Sequence, residues 1–200
     1  MVTSLEPLAS MAGMRVLQEG GNAFDAAVAT AVALTVVDPR MSSIGGNGFA
    51  TIYVAKTHEV RALNFYGSAP QGATRDVYKD KVFCRSRYRR LKGYEVLHKT
   101  YGRLPWRQVL EPAIELAESG FVLTRSLGDF IAVYQDEFAK FPSTAKVFLP
   151  DGRALKTGDI LRQPDLARTL KGALSMEPTI VIAVRSLHAL QSSLRTTAEC

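Results

Sequence analysis

The sequence predicts an α+β fold in which a pair of helices leads into a β-hairpin. Three stretches carry that expectation: an Ala-rich apolar run from Ala23 to Val37, a glycine turn at Ile44-Gly45-Gly46-Asn47-Gly48, and two β-prone segments on either side of Lys56-Thr57-His58. The run is apolar on every side except at Asp25 and two threonines. A helix of that composition is buried all round, and its small side chains let neighbouring backbones come close.

Met1 to Leu5 is expected to begin a strand. Leu8-Ala9, Ala12-Gly13 and Val16-Leu17 recur at helical spacing and predict a first helix from near Leu8 to Glu19, its apolar stripe turned to the second helix. Gly20-Gly21 end it. Asn22 can cap the next helix through its side-chain oxygen, and Asp25 three residues on places a carboxylate at the positive end of the helix dipole. Pro39 stops that helix, and the following glycines are expected to supply positive φ and close backbone packing. Phe49 to Lys56 and Glu59 to Phe65 read as a hairpin, with Phe49 to Val54 a core strand forming one unit with the buried helix.

Gly67 to Gly72 reads as a loop. Helical character returns at Leu91 to His98, ends at Gly102 and restarts after Pro105, which suits a first helical turn. Trp106, Val109, Leu110, Ala113, Ile114 and Ala117 recur at spacings of three and four, and Gly120 closes that helix. Trp106 is expected in the core and His98 on the surface. Ser126 to Phe141 reads as one further helix with Leu127, Phe130, Ile131, Tyr134 and Phe141 along one side, ended by Pro142. Val147-Phe148-Leu149 reads as a short strand before a turn at Pro150-Asp151-Gly152. Pro164 and Asp165 open a helix at Leu166, Thr179 to Val184 is β-prone, and Ser186 to Glu199 is polar.

The chain also carries an ordered series of motifs: Pro7-Leu8-Ala9-Ser10, Gly20-Gly21-Asn22-Ala23 with Asp25 to Ala29, Ile44 to Phe49, Tyr101 to Trp106, Glu111-Pro112-Ala113-Ile114 with Leu116 to Phe121, and Gln163 to Leu170. In this order they resemble the N-terminal, large-subunit portion of the γ-glutamyltransferase family, enzymes of the N-terminal-nucleophile (Ntn) hydrolase class. The resemblance covers residues 1–175, with a divergent basic stretch at 82–90, and leaves 176–200 as an unassigned tail. It implies the N-terminal part of an Ntn-hydrolase αββα sandwich, incomplete here because the family takes central strands from both subunits.

Intact relatives carry out γ-glutamyl transfer or glutathione hydrolysis through a threonine whose freed α-amino group serves as its base. The family motif around that threonine lies well beyond the matched portion. Thr196-Thr197-Ala198-Glu199-Cys200 has alanine where the motif has histidine, and ends three residues after Thr197. No catalytic residue is therefore expected in this chain. For binding, an arginine at the end of the family's second strand grips the substrate α-carboxylate, and that position is Tyr66 here. A phenol cannot replace a planar, permanently charged fork, so the resemblance marks Tyr66 as the substrate-binding position while putting γ-glutamyl specificity in question. The implied function is that of an acyltransferase or hydrolase fragment, inactive by itself and lacking its small-subunit half, whose intact relatives act on γ-glutamyl or related acyl small molecules. The alternative is a non-enzymatic, subunit-like or vestigial domain that needs a partner chain.

Other classes are disfavoured. Two hundred residues fit one domain, and cysteines at 84 and 200 make no disulfide framework. His58, His98 and His188 are scattered singly, so no metal is expected, and no cofactor either. The glycine turn lacks the lysine of a P-loop and leads into a strand, unlike a dinucleotide fingerprint. Ser42-Ser43 lacks a nucleophile-elbow pattern. Between Asp76 and Lys92 seven cations face two aspartates, which accounts for five of the six net positive charges. With no basic stripe elsewhere, that run is expected to be a solvated loop and not a nucleic-acid site. A helix from Ala23 to Val37, at about 1.5 Å per residue, is too short for the roughly 30 Å hydrocarbon layer of a membrane. No basic, then apolar leader opens the chain, and since many members of the resembled family are exported, the expectation is either a cytoplasmic relative or a start codon placed too late.

Overall fold

A computed structural model describes residues 1–66, 89–175 and 184–186, the side chains of 89, 90, 175 and 184–186 excepted. In chain order the elements are helices α1 (Pro7–Gln18) and α2 (Ala23–Val37), strands β1 (Phe49–Val54) and β2 (Glu59–Asn64), helices α3 (Arg89–Tyr101) and α4 (Trp106–Ser119), and strand β3 (Phe121–Val122). Helices α5 (Arg125–Val133), α6 (Gln135–Ala139) and α7 (Pro142–Phe148), strand β4 (Ile160–Leu161), helix α8 (Pro164–Gly172) and strand β5 (Val184–Ser186) follow, with short 3-10 turns at Pro150–Gly152 and Ala173–Ser175. Two compact units divide the chain, Met1–Ser43 with Gly102–Met176 and Ile44–Tyr101 with Glu177–Cys200. The expected loop at Gly67 to Gly72, the divergent stretch up to residue 88, the β-prone residues 179–183 and the tail carrying Thr196 and Thr197 lie outside the described residues.

The first unit is built around α2. Ten of its fifteen residues are buried, as an apolar run without a polar face requires. Thr30 and Thr35 satisfy their hydroxyls internally, donating to the carbonyls of Ala26 (2.8 Å) and Val32 (2.7 Å). Ala9, Ala12, Gly13 and Val16 form the buried side of α1, and a Cβ on Gly13 would overlap the Thr30 hydroxyl and stand 3.0 Å from the Ala26 carbonyl oxygen. Glycine at this point lets the two helices touch through their backbones. On α4, Val109, Leu110, Ala113, Ile114 and Ala117 are buried, and Gly120 at φ 85° stops the helix in a conformation that disfavours other residues. Trp106 is half-buried and donates its indole N–H to the Ala173 carbonyl at 3.3 Å. Gln163, buried just before α8, donates its amide to the Val36 carbonyl at 2.7 Å, closing the end of α2.

Met1 to Leu5 forms no strand. The Ser4 hydroxyl donates to the Glu6 carbonyl (2.8 Å) and pairs with Ser10 (2.8 Å), so the segment is tied to the start of α1 in place of a ladder. The single helix expected over Ser126 to Phe141 is two short ones, α5 and α6. Tyr134 leaves the helical region at ψ 14°, and the bends bring Phe130 to 4.7 Å from Tyr134 and 6.0 Å from Phe138, and Phe138 to 5.3 Å from Phe148. Pro142 starts α7 as a first-turn residue, and Val147 and Phe148 continue that helix instead of forming a strand.

In the second unit β1 pairs antiparallel with β2, from Phe49 opposite Asn64 to Val54 opposite Glu59. β2 pairs in turn with β5, giving the order β1-β2-β5. Three expectations change here. The glycine turn lies with the hairpin in the second unit, whereas α2 lies in the first. β1 is not a core strand, since Ile52 alone of its six residues is buried. His98 is buried, not on the surface. No described helix is long and apolar enough to cross a membrane.

Candidate functional site

The hairpin has one covered face and one open face. Antiparallel register and the two-residue alternation of strands place Ala50, Ile52 and Leu63 on one side, with Arg61, and Phe49, Tyr53, Val60 and Asn64 on the other. On the covered side Ile52 and Leu63 are buried, and Phe65 follows the same parity. The Phe65 ring meets Tyr94 of α3 edge-on at 5.6 Å, and its amide donates to the Gly48 carbonyl at 3.1 Å. A Cβ at Gly48 or at Gly93 would overlap that ring. Close approach, not backbone conformation, thus explains Gly48: Gly20 takes φ 92°, whereas none of Gly45, Gly46 and Gly48 takes a left-handed φ.

Anchoring Phe65 in this way sends the next residue, Tyr66, to the open side. Asn64 accepts the Tyr66 amide N–H at 2.8 Å, and the Tyr66 ring stacks on Phe49 at 5.4 Å with 24° between planes. Phe49 is 67% exposed, Tyr66 55%, Tyr53 56% and Val60 42%. Tyr53 also meets His58 at 3.0 Å through its hydroxyl. Arg61, on the covered side, is occupied by Glu59 and by the Tyr101 hydroxyl at 2.9 Å, and the Glu59 hydrogen bond, then that of Tyr101, raises its pKa.

Three further charged clusters have structural partners. Asp25 is fully buried, with its carboxylate accepting from the backbone N–H groups of Asn22 (2.9 Å), Arg103 (3.0 and 3.1 Å) and Leu104 (3.3 Å). Asn22 in turn accepts from Phe24 and Asp25, which completes the expected capping box. The added grip on Arg103 and Leu104 is invisible in sequence, since it spans almost eighty positions. On α3, burial pushes the Glu95 pKa up, but Lys92 and Lys99, each at 2.8 Å, hold it below the ordinary glutamate value. Lys92 is itself buried and belongs to this cluster, not to a solvated basic run. Glu6 has its pKa raised, first by burial and then by the Asp38 carboxylate, against the opposing pull of Arg40.

Of the residues singled out from sequence, Tyr66 is described and open, while Thr196 and Thr197 are outside the described residues. Phe49 and Asn64 were not singled out. The hairpin register is the signal that could have found them, because it sets Phe49 opposite Asn64, two residues before Tyr66.

A sequence model of the gamma-glutamyltranspeptidase family matches residues 9–177. The chain belongs to that family. It is 40% identical over 184 residues to the glutathione hydrolase proenzyme of Bacillus subtilis strain 168, covering 86% of this chain and 31% of that protein. It is 38% identical over 189 residues to the acylase ACY 1 proenzyme of Pseudomonas sp. strain V22, covering 86% of this chain and 34% of that one. The crystal structure of Helicobacter pylori gamma-glutamyltranspeptidase superposes with a TM-score of 0.82 at 35% identity, over 88% of this chain and 54% of the other. The mixed helices and strands are accordingly part of the family's Ntn-hydrolase fold, and the chain spans about a third of the length of these curated relatives.

Proposed function

We propose that this chain supplies the large-subunit portion of a γ-glutamyltransferase-family acyltransferase or hydrolase, and that it turns over substrate only when joined to the portion bearing the threonine nucleophile. The open face of the hairpin carries this reading. Its opposite face holds the buried Ile52, Leu63 and Phe65, whereas Phe49, Tyr53, Val60 and Tyr66 present an apolar, mainly aromatic surface to solvent. A sheet is stable with such a face covered by another layer, and the two thirds of the curated relatives' length that this chain does not span would supply it. Tyr66 stands at the edge of that junction, where the acyl part of a substrate would lie between the two halves.

The test is complementation. The chain is co-expressed with the remaining, nucleophile-bearing portion of the B. subtilis glutathione hydrolase proenzyme, and release of p-nitroaniline is followed from γ-glutamyl and phenylacetyl anilides. The chain alone is expected to release none, and the assembled pair to hydrolyse at least one anilide. Turnover by the chain alone, or a soluble pair inert towards every acyl anilide, would refute the proposal.

A further inference from the structure

The turn that leads into the hairpin carries the dipeptide Asn47-Gly48. Both residues are half-buried and outside helix and strand, with Gly45 and Gly46 before them. Packing imposes the glycine at 48, since a Cβ there would overlap the Phe65 ring. A glycine leaves its amide nitrogen unshielded. The Gly48 N–H donates to no backbone carbonyl among the described residues, while the Gly48 carbonyl accepts the Phe65 N–H at 3.1 Å. The chain's other asparagines, Asn22 and Asn64, are placed differently. A ring closed at Asn22 would take its side-chain oxygen from the amides of Phe24 and Asp25. At Asn64 the following N–H is the one donated to Gly48, and a phenylalanine side chain crowds its nitrogen. Asp151-Gly152 has the same glycine, but there the Gly152 N–H donates to the Leu149 carbonyl at 3.0 Å.

We propose that Asn47-Gly48 is a site of spontaneous covalent modification, deamidation through a cyclic imide, and that its isoaspartyl product releases the Phe65 wedge at the end of the hairpin. Hydroxide removes the Gly48 amide proton, and the nitrogen attacks Asn47 Cγ. The N–Cγ bond forms and the Cγ–Nδ2 bond breaks. Nδ2 takes a proton from water and leaves as ammonia, which restores the hydroxide. Water then opens the ring at Cγ to give an aspartate, or at the main-chain carbonyl to give an isoaspartate. Closure turns Asn47 about its own ψ and χ1, and Gly45 and Gly46 ease that turn because glycine tolerates most backbone conformations. The aspartate leaves the main chain unchanged in length. The isoaspartate runs it through the former side chain and inserts a methylene just before Gly48, where the Phe65 ring already excludes a Cβ. A close-packed contact does not absorb an added methylene without shifting, so either the Gly48–Phe65 hydrogen bond breaks or the ring leaves its place between Gly48 and Gly93.

The test is timed incubation of the full 200-residue chain in buffers of rising pH, followed by tryptic mapping with fragment mass spectrometry. Asn47 falls in the peptide 41–56, Asn22 in 16–40 and Asn64 in 62–75, so each asparagine reports separately. Asn47 is expected to gain the mass of an amide-to-acid exchange roughly tenfold faster than the other two, the factor that one released hydrogen bond represents. Its rate should rise about tenfold per pH unit, as the ionised fraction of an acid does far below its pKa. Asn47→Gln, which would have to close a larger ring, should stay unmodified. The isoaspartyl fraction, separated by ion exchange, is then compared with Asn47→Asp, which has the charge without the methylene. Hydrogen exchange of the Phe65 amide should be about tenfold faster in the isoaspartyl fraction than in Asn47→Asp, again the factor for one hydrogen bond. A peptide 41–56 that changes no faster than the other two, or at a rate indifferent to pH, would overturn the site. Equal exchange of the Phe65 amide in the isoaspartyl fraction and in Asn47→Asp would overturn the release of the wedge.

Discussion

Replacing Asp25 tests the least obvious support of the helical unit. Its Oδ2 accepts from three backbone amides, those of Asn22, Arg103 and Leu104, and Oδ1 also accepts from Arg103. Asp25→Ala removes the acceptor from all three at a fully buried position. Each buried donor that loses its partner costs about 1–3 kcal/mol, and relaxation recovers part, so the expected loss is about 3–6 kcal/mol. That is a large share of the ~5–15 kcal/mol that holds a domain of this kind folded. Asp25→Asn separates charge from geometry. With its amide oxygen in the Oδ2 place it keeps three acceptances but loses the charge that roughly doubles their strength, and about 1–3 kcal/mol is expected. Urea denaturation followed by far-UV circular dichroism measures both, and hydrogen exchange of the Arg103 and Leu104 amides reports the link directly. If Asp25→Ala shifts stability by less than about 1 kcal/mol, or leaves those two amides protected, the buried carboxylate is not what ties the start of α2 to the turn before α4.

Gly13→Ala should lower the melting temperature by roughly 3–6 °C, because the new methyl overlaps the Thr30 hydroxyl and forces α1 from α2, a cost of about 1–3 kcal/mol that outweighs the helix-propensity gain; a rise on differential scanning calorimetry would contradict the backbone contact. Glu95 supplies an acid-sensitive term. Its folded pKa lies below the unfolded one, so the stabilisation is complete above the ordinary glutamate range and disappears as pH falls through the lowered folded value. Glu95→Gln, which removes this carboxylate from Lys92 and Lys99, should cost about 1–3 kcal/mol at neutral pH and flatten the acid limb of a stability-versus-pH curve measured in urea. An acid limb of unchanged steepness in the variant would count against the ion pair.

What could be read from the chain alone is what nearest neighbours decide. The Ala23 to Val37 helix, its Asn22–Asp25 cap and the hairpin after the glycines follow from periodicity, capping chemistry and turn residues acting within a few positions, and they are present in the structure. The ordered motifs were sufficient to mark the family, because so many in sequence seldom recur by chance. Contacts that close across long stretches of chain were not legible. Helical spacing could not show that Tyr134 breaks a helix so that Phe130, Phe138 and Phe148 gather. Nor could composition show that Asp25 reaches Arg103 and Leu104, or that tertiary packing buries Lys92 with Glu95, although the two stand only three residues apart. The sharpest case is Tyr66. Its identity at the strand end was plain, but its stacking on Phe49 and its open side depend on Phe65 being wedged between Gly48 and Gly93, and only folding brings those residues to one place.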